Sequence, residues 1–351
     1  MRVCVLGSGS SGNCTLVEGP AGIVLLDVGF SPRETRRRME SAGFRPSEVR
    51  AVVLTHPDSD HLHSGWTRAL GGLAGPRLVV RPRHAGAVAS MGYLPAWVDE
   101  EAGAFERCGL SFEAFPLPHD SLGSTAFRIR DGTRVAAHAT DCGRATRGLA
   151  EFLAGADVLM LESNYDPPMQ RASGRSPYLI DRIMGGNGHL SNEQALSLAA
   201  EVDRLHPLGA VVLLHLSRQC NCPSIVERLW TERAPALAPR LVVSGQHAPT
   251  RPVEVATDRT AKDLYLQTLY HSADHDIIER VAALAARRGL TMAQVALAWV
   301  AGHPAVSAPI VGVTKAEHLA DALVGVDVDL SDDERAELEA PYTPQPVQGI
   351  S

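Results

Sequence analysis

The apolar positions of this chain fall into two textures. From residue 1 to about 250 they come in short runs broken by Gly and Pro, at 3–6, 22–27, 51–55, 77–81, 110–116, 126–130, 134–138, 158–162, 210–214 and 241–243. Runs of this length, bounded by turn formers, predict β-strands. Helical patterns fall between them. Ser31-Pro32-Arg33-Glu34 reads as a capping box with Pro at the first helical position, opening a helix over 32–42. A second helix is expected over Asn192–Leu205, where Ala195, Leu198, Ala199 and Val202 share one side. Strands interleaved with helices indicate a layered α/β domain.

After about residue 256 the pattern changes to longer amphipathic helices. Residues 276–288 carry Ile277, Ile278, Val281, Leu284 and Ala285 on one face and stop at Gly289. Thr291 to Gln294 reads as a capping box opening Met292–Ala301, and Ser331 to Glu334 as another. Pro and polar residues collect at 249–260, so the expected organisation is an α/β domain over 1–256 and a separate segment over 257–351.

Composition narrows the class. The chain has 351 residues, and its 45% hydrophobic content is ample for a core and excludes disorder. It has no run of eighteen apolar residues, and Met1-Arg2-Val3-Cys4 enters a strand without the charged start of a signal peptide. The expected location is therefore the cytoplasm, with no membrane partner. Six scattered cysteines form no paired CxxC sets, which argues against a disulfide scaffold or a zinc ribbon. Residues 1–256 hold 26 Arg, no Lys and 26 acidic residues, so the whole net charge of −7 sits in the tail. No strongly basic stripe marks a tight duplex binder.

The candidate chemistry begins at His56-Pro57-Asp58-Ser59-Asp60-His61, directly after the run 51–55. Imidazoles and carboxylates at alternate positions on one sharp loop can converge on two divalent ions about 3.5 to 4 Å apart. Further ligand types follow at strand ends: His119, Asp141 and His215. Repeated placement at the C-terminal ends of apolar runs is what a site along one sheet edge requires. A competing signal, Gly7-Ser8-Gly9-Ser10-Ser11-Gly12 with Asp27 beyond it, fits a dinucleotide fingerprint. That mechanism needs a helix starting at the last Gly, whereas 13–27 reads as a hairpin turning at 19–22.

These residues resemble the metallo-β-lactamase fold, an αββα sandwich, and specifically its WalJ/YycJ-like hydrolase branch. The likeness covers Ser8 to Asn13, Leu25 to Gly29, Thr140-Asp141-Cys142-Gly143, Leu161-Glu162-Ser163-Asn164, Gly188-His189-Leu190-Ser191-Asn192 and Leu214-His215-Leu216-Ser217. The resemblance implies that His56, Asp58 and His119 hold one ion and Asp60, His61 and His215 the other, with Asp141 bridging. It implies Asp60, Glu162 and His189 as catalytic groups, Asp60 orienting a bridging hydroxide and Glu162 or His189 assisting proton transfer, and a structural role for Asp27. Phosphodiester or nucleic-acid substrates are implied, although thioester and lactone hydrolysis share the same metal core. Two departures stand out: Asp58 replaces the second His of the usual HxHxDH, and Tyr165 replaces a His after Glu162-Ser163-Asn164. An oxygen donor at 58 shifts preference from Zn²⁺ toward Mn²⁺, Fe²⁺ or Mg²⁺; alternatively His63 supplies the missing imidazole or supports the site from outside.

The tail resembles the C-terminal end of the aldo-keto reductases through Val295 to Trp299, Ala308 to Leu319 and Leu338 to Tyr342. The resemblance implies a mainly helical partial (β/α) barrel in which the last barrel strand ends at Gly312. It also implies that Thr314, Lys315 and His318 contact the phosphate of NADP(H). A closed barrel needs eight strands and about 250 residues, so this segment is not expected to work as a reductase. The alternative to a hydrolase is an NADP(H)-binding module joined to a degenerate hydrolase domain.

Overall fold

The computed structural model describes residues 1–70, 75–132, 134–255, 272–312 and 316–341, with the backbone alone at 272–276 and 316–318. The chain divides into two compact units, Met1–Lys262 and Asp263–Ser351.

Among the described residues, the first unit holds two seven-stranded sheets. One is built from β1 (Arg2–Gly7), β2 (Cys14–Gly19), β3 (Gly22–Leu26), β4 (Val49–Val53), β5 (Arg77–Val80) and β6 (Val98–Glu100). The other contains β7 (Phe105–Arg107), β8 (Leu110–Leu117), β9 (Ser124–Asp131), β10 (Arg134–Ala139), β11 (Val158–Glu162), β12 (Ala210–Leu214) and β13 (Leu241–Val243). The chain then returns to the first sheet, where β14 (Val253–Glu254) pairs antiparallel with β1. In each sheet an antiparallel meander changes to parallel pairing, from β3 to β6 and from β10 to β13.

The central parallel strands are apolar on both faces because both faces are covered. In β11, Val158 and Met160 join Val24, Ala51 and Val53 in the layer between the sheets. Leu159 and Leu161 face the other way and join Ala195, Ala199 and Trp230 of the outer helices. On the first sheet, Val52 and Leu54 belong to an outer layer with Met39, Trp66 and Tyr93. This is the αββα sandwich.

Helix Pro32–Ser41 has half of the expected capping box. Ser31 Oγ accepts from Glu34 N at 3.3 Å, but the Glu34 carboxylate bonds Arg37 and Arg38 instead of returning to Ser31. Two guanidiniums within one turn outcompete a single backbone N–H. Helix Asn192–Leu205 is fixed by a complete box between Ser191 and Gln194. The glycine-rich loop after β1 opens no helix. It wraps around Asn13, whose Oδ1 accepts from Ser8 Oγ at 2.8 Å and Gly9 N at 2.9 Å, and β2 starts at Cys14.

The second unit contains helices Ser272–Arg288, Met292–Ala301, Ala316–Val326 and Asp332–Glu339. Both predicted capping boxes, Thr291 with Gln294 and Ser331 with Glu334, are complete. The first helix begins at Ser272 and ends before Gly289, whose φ of +64° suits a residue without a Cβ. Leu284, Ala285, Val295, Ala298, Leu330 and Leu338 form a small core. Residues 308–312, the expected last barrel strand, form no strand, and Ile310 and Val311 are exposed. A strand needs a neighbour to bond with, and among the described residues this unit has none. No helix among the described residues is long and apolar enough to cross a membrane.

Candidate metal centre

The candidate ligands of the first unit gather where strands end. In the second sheet Ala139 lies opposite Leu161, which lies opposite Leu213, so Asp141, Glu162 and His215 leave three adjacent strands at nearly one level. In the first sheet Leu26 lies opposite Val53, which brings Asp27 beside the loop 54–61. His119 follows the end of β8, and His189 stands in the turn before helix Asn192–Leu205. Asp27, Asp141 and His215 all adopt left-handed backbone, with φ of +59°, +53° and +54°. That conformation costs about 1–3 kcal/mol for a residue with a Cβ. Here it bends each strand end sharply toward the site.

Hydrogen bonds fix the imidazoles. Asp27 Oδ1 accepts from Thr55 N at 2.8 Å, and its Oδ2 accepts from Thr55 Oγ1 at 2.8 Å and His61 Nδ1 at 2.7 Å. The Thr55 hydroxyl, having donated to Asp27, can accept from His56 Nδ1 at 3.0 Å. His119 Nδ1 donates to Gly188 O at 2.9 Å. Each of these bonds leaves Nε2 directed at the cluster, the arrangement that orients metal-binding histidines. Glu162 is fully buried; its Oε2 accepts from Cys142 N at 2.7 Å and Leu190 N at 3.2 Å, and its Oε1 accepts from His189 Nδ1 at 2.6 Å.

Four groupings of donor atoms lie within 4.8 Å: His56 with Asp58 and His119; Asp60 with His61 and His215; His56 with His61 and Asp141; and Asp141 with Glu162, His189 and His215. All nine candidates of this domain therefore meet at one place. Asp141 is central, 3.0 Å from His61 Nε2 and 3.2 Å from both His215 Nδ1 and His189 Nδ1. Asp58 stands at the rim with its side chain 50% exposed. His63 belongs to none of the groupings, and its Nδ1 accepts from Gly65 N at 2.9 Å. Tyr165 is buried and bridges to Ser191.

The donor chemistry suits divalent cations. His215 Nε2 is buried without a hydrogen bond, 3.5 Å from Asp60 Oδ2, an orphaned nitrogen aimed into the cluster. Burial alone would lower the His215 pKa, but Asp141, with Asp60 and Glu162, outweighs it and pushes it up to about 10. His61 likewise rises despite its burial, because Asp141, Asp27 and Asp60 surround it. Carboxylates packed this closely require positive charge among them, and mixed imidazole and carboxylate donors bind divalent metals.

A cleft of about 280 Å³ opens on the cluster and is lined by Asp58, Asp60, His119, Asp141, His189 and His215. Arg175 and Arg182 also line it, and sequence reasoning gave them no role. Nothing local distinguishes them from the other arginines; only the fold brings them to the cleft. Of the tail candidates, Thr314 and Lys315 lie outside the described residues. His318 falls in helix Ala316–Val326 with its side chain outside the description.

Comparison with known proteins agrees with this architecture. The β-lactamase superfamily domain matches residues 23–216, and the aldo/keto reductase family matches residues 240–342. Residues 241–243 and 253–254, inside the second match, are strands of the two sandwich sheets. The chain is 30% identical over 236 residues to exodeoxyribonuclease YycJ of Bacillus anthracis, covering 63% of this chain and 84% of that one. It is 26% identical over 230 residues to exodeoxyribonuclease WalJ of Streptococcus pneumoniae, covering 63% and 83%. The crystal structure of Zn²⁺-bound PqqB from Methylobacterium extorquens superposes with a TM-score of 0.55 at 20% identity, covering 71% of this chain and 99% of PqqB. For the tail, a putative aryl-alcohol dehydrogenase of Schizosaccharomyces pombe is 42% identical over 94 residues, 26% of each chain, so the tail spans about a quarter of that relative. The chain belongs to the metallo-β-lactamase superfamily of metal-dependent hydrolases, and its C-terminal segment resembles part of the aldo/keto reductase family.

Proposed function

We propose that the domain expected over residues 1–256 is a dinuclear metal-dependent phosphodiesterase acting on nucleic acid. His56, Asp58 and His119 hold one divalent ion, Asp60, His61 and His215 the other, and Asp141 bridges them. The observation that carries this reading is the position of Asp141, buried between two separate donor sets and within 3.2 Å of imidazole nitrogens from two elements. Asp58 favours Mn²⁺ or another hard ion alongside Zn²⁺. Bound ions supply Lewis-acid chemistry: they make water acidic enough to react near neutral pH and offset charge on the phosphoryl oxygens.

The remaining work falls to the chain. Asp60 accepts a hydrogen bond from the attacking water and orients it. Glu162 cannot turn, because two backbone N–H groups hold one of its oxygens. Its other oxygen fixes His189 through Nδ1, leaving Nε2 to pass a proton to the leaving oxygen. The names of the relatives support nucleic acid as the substrate class, since WalJ and YycJ are both described as exodeoxyribonucleases.

The test is metal analysis of the full chain together with hydrolysis of bis(p-nitrophenyl) phosphate and an oligodeoxynucleotide. About two ions per chain are expected, and Asp60→Ala should lose hydrolysis while keeping its circular dichroism spectrum. Full activity in metal-free protein would refute the reading.

A further inference from the structure

One wall of the cleft has no part in the chemistry above. Helix Pro177–Met184 contains no buried residue, yet its Leu179, Arg182 and Ile183 line the cleft, together with Arg175 just upstream. Tyr178 is 80% exposed and lies four residues before Arg182, on the same helix face. The two cations are held differently. Arg182 Nε donates to Asp120 Oδ1 at 2.9 Å. Arg175 is positioned by neutral amides, Gln170 at 3.3 Å and Gln219 at 3.0 Å, and among the described residues no carboxylate pairs with it. Arg175 thus brings to the cleft a guanidinium that no carboxylate pairs with among the described residues, and three positions along the chain Tyr178 exposes an aromatic ring.

Those two features are what a single strand of nucleic acid recognises: cations for successive phosphates and a flat ring for an unstacked base. A duplex keeps its bases stacked and offers the ring nothing. We propose that helix Pro177–Met184 is a docking platform for single-stranded nucleic acid, with Tyr178 stacking on an unpaired base and Arg175 binding a phosphate of the same strand. The strand is thereby led into the cleft. The inference rests on the phosphodiesterase reading and names its substrate form.

The experiment measures binding of a fluorescein-labelled oligodeoxythymidylate to the full chain in EDTA by anisotropy, so that it does not depend on turnover. Tyr178→Ala should weaken binding about tenfold, as loss of one stacked base does. Tyr178→Phe should restore it, and Arg175→Gln should weaken binding while reducing the salt slope by about one. Wild-type affinity in Tyr178→Ala, or failure of Phe to rescue, would overturn the proposal. So would a dimer in sedimentation that Tyr178→Ala dissolves with oligonucleotide binding unchanged. Hydrolysis of bis(p-nitrophenyl) phosphate by metal-loaded wild-type protein tests the parent reading separately, so either can fail alone.

Discussion

Replacing Asp27 with Asn tests the metal centre through a residue that touches no proposed ion. Asn tolerates the left-handed backbone at this position as Asp does, so the chain path is preserved. The amide must orient its oxygen toward Thr55 N, which can only donate and lies 2.8 Å from Oδ1. The amide NH₂ then faces Thr55 Oγ1 and His61 Nδ1, where a carboxylate oxygen accepted both. His61 Nδ1 has to become an acceptor, which moves the imidazole proton to Nε2, 3.0 Å from Asp141. A protonated Nε2 cannot bind a metal.

The stability loss is that of one charge-assisted hydrogen bond, about 1.5–3 kcal/mol. The loss in metal affinity is about 10- to 100-fold, the usual effect of removing an orienting partner, or about 1.4–2.7 kcal/mol. Urea unfolding of metal-free protein gives the first quantity, and chelator competition followed by metal analysis gives the second. Wild-type metal retention in Asp27→Asn would refute the argument that the Asp27–His61 bond sets the ligand tautomer.

Three further outcomes are expected. Glu162→Gln, which turns an amide NH₂ toward His189, should lower kcat about 100-fold with little change in KM; unchanged kcat in steady-state kinetics would remove the proton-transfer role. The Glu34 carboxyl is held at about 2, below its ordinary 4.5, chiefly by Arg37 and then, against some burial, by Arg38. Its depressed pKa contributes stability above pH 4.5 that is lost as pH falls toward 2. Glu34→Gln should therefore flatten that acid limb in denaturant titrations, and an unchanged limb would contradict the assignment. Burial pushes the Cys4 thiol up to about 11, whereas Ser224 lowers that of Cys222. Iodoacetamide at pH 7.5 should label Cys222 first by peptide mass spectrometry, and faster labelling of Cys4 would count against the packing of β1.

Much of the sandwich was readable because its parallel strands are covered on both faces. Runs such as 158–161 and 210–214 are apolar throughout, and their turns are marked by Gly and Pro. Strands β6, β7 and β14 were not anticipated; each is only two or three residues long and partly exposed, so it carries little periodicity. The half-formed capping box at Ser31 has the same kind of cause, since a local motif was outcompeted by Arg37 and Arg38 nearby. In the tail, strong capping signals matched helices, while 308–312 had strand composition but no partner strand.

The sequence by itself determined which donors this protein has and that the loop 56–61, His119, Asp141 and His215 each follow an apolar run. His56 to His61 even presents four of them within a single turn of chain, because ligand type and local spacing are properties of consecutive residues. Tertiary structure decided how they are combined. Asp27 reaches His61, 34 positions away, only through the parallel pairing of β3 with β4. Asp141, Glu162 and His215 share a level only because β10, β11 and β12 align in register. The cleft-lining Arg175 and Arg182, and the exposed Tyr178 on the same helix as Arg182, had no signal in the chain at all. Exposure and the absence of a charge partner depend on everything a residue does not touch, and only the folded chain specifies that.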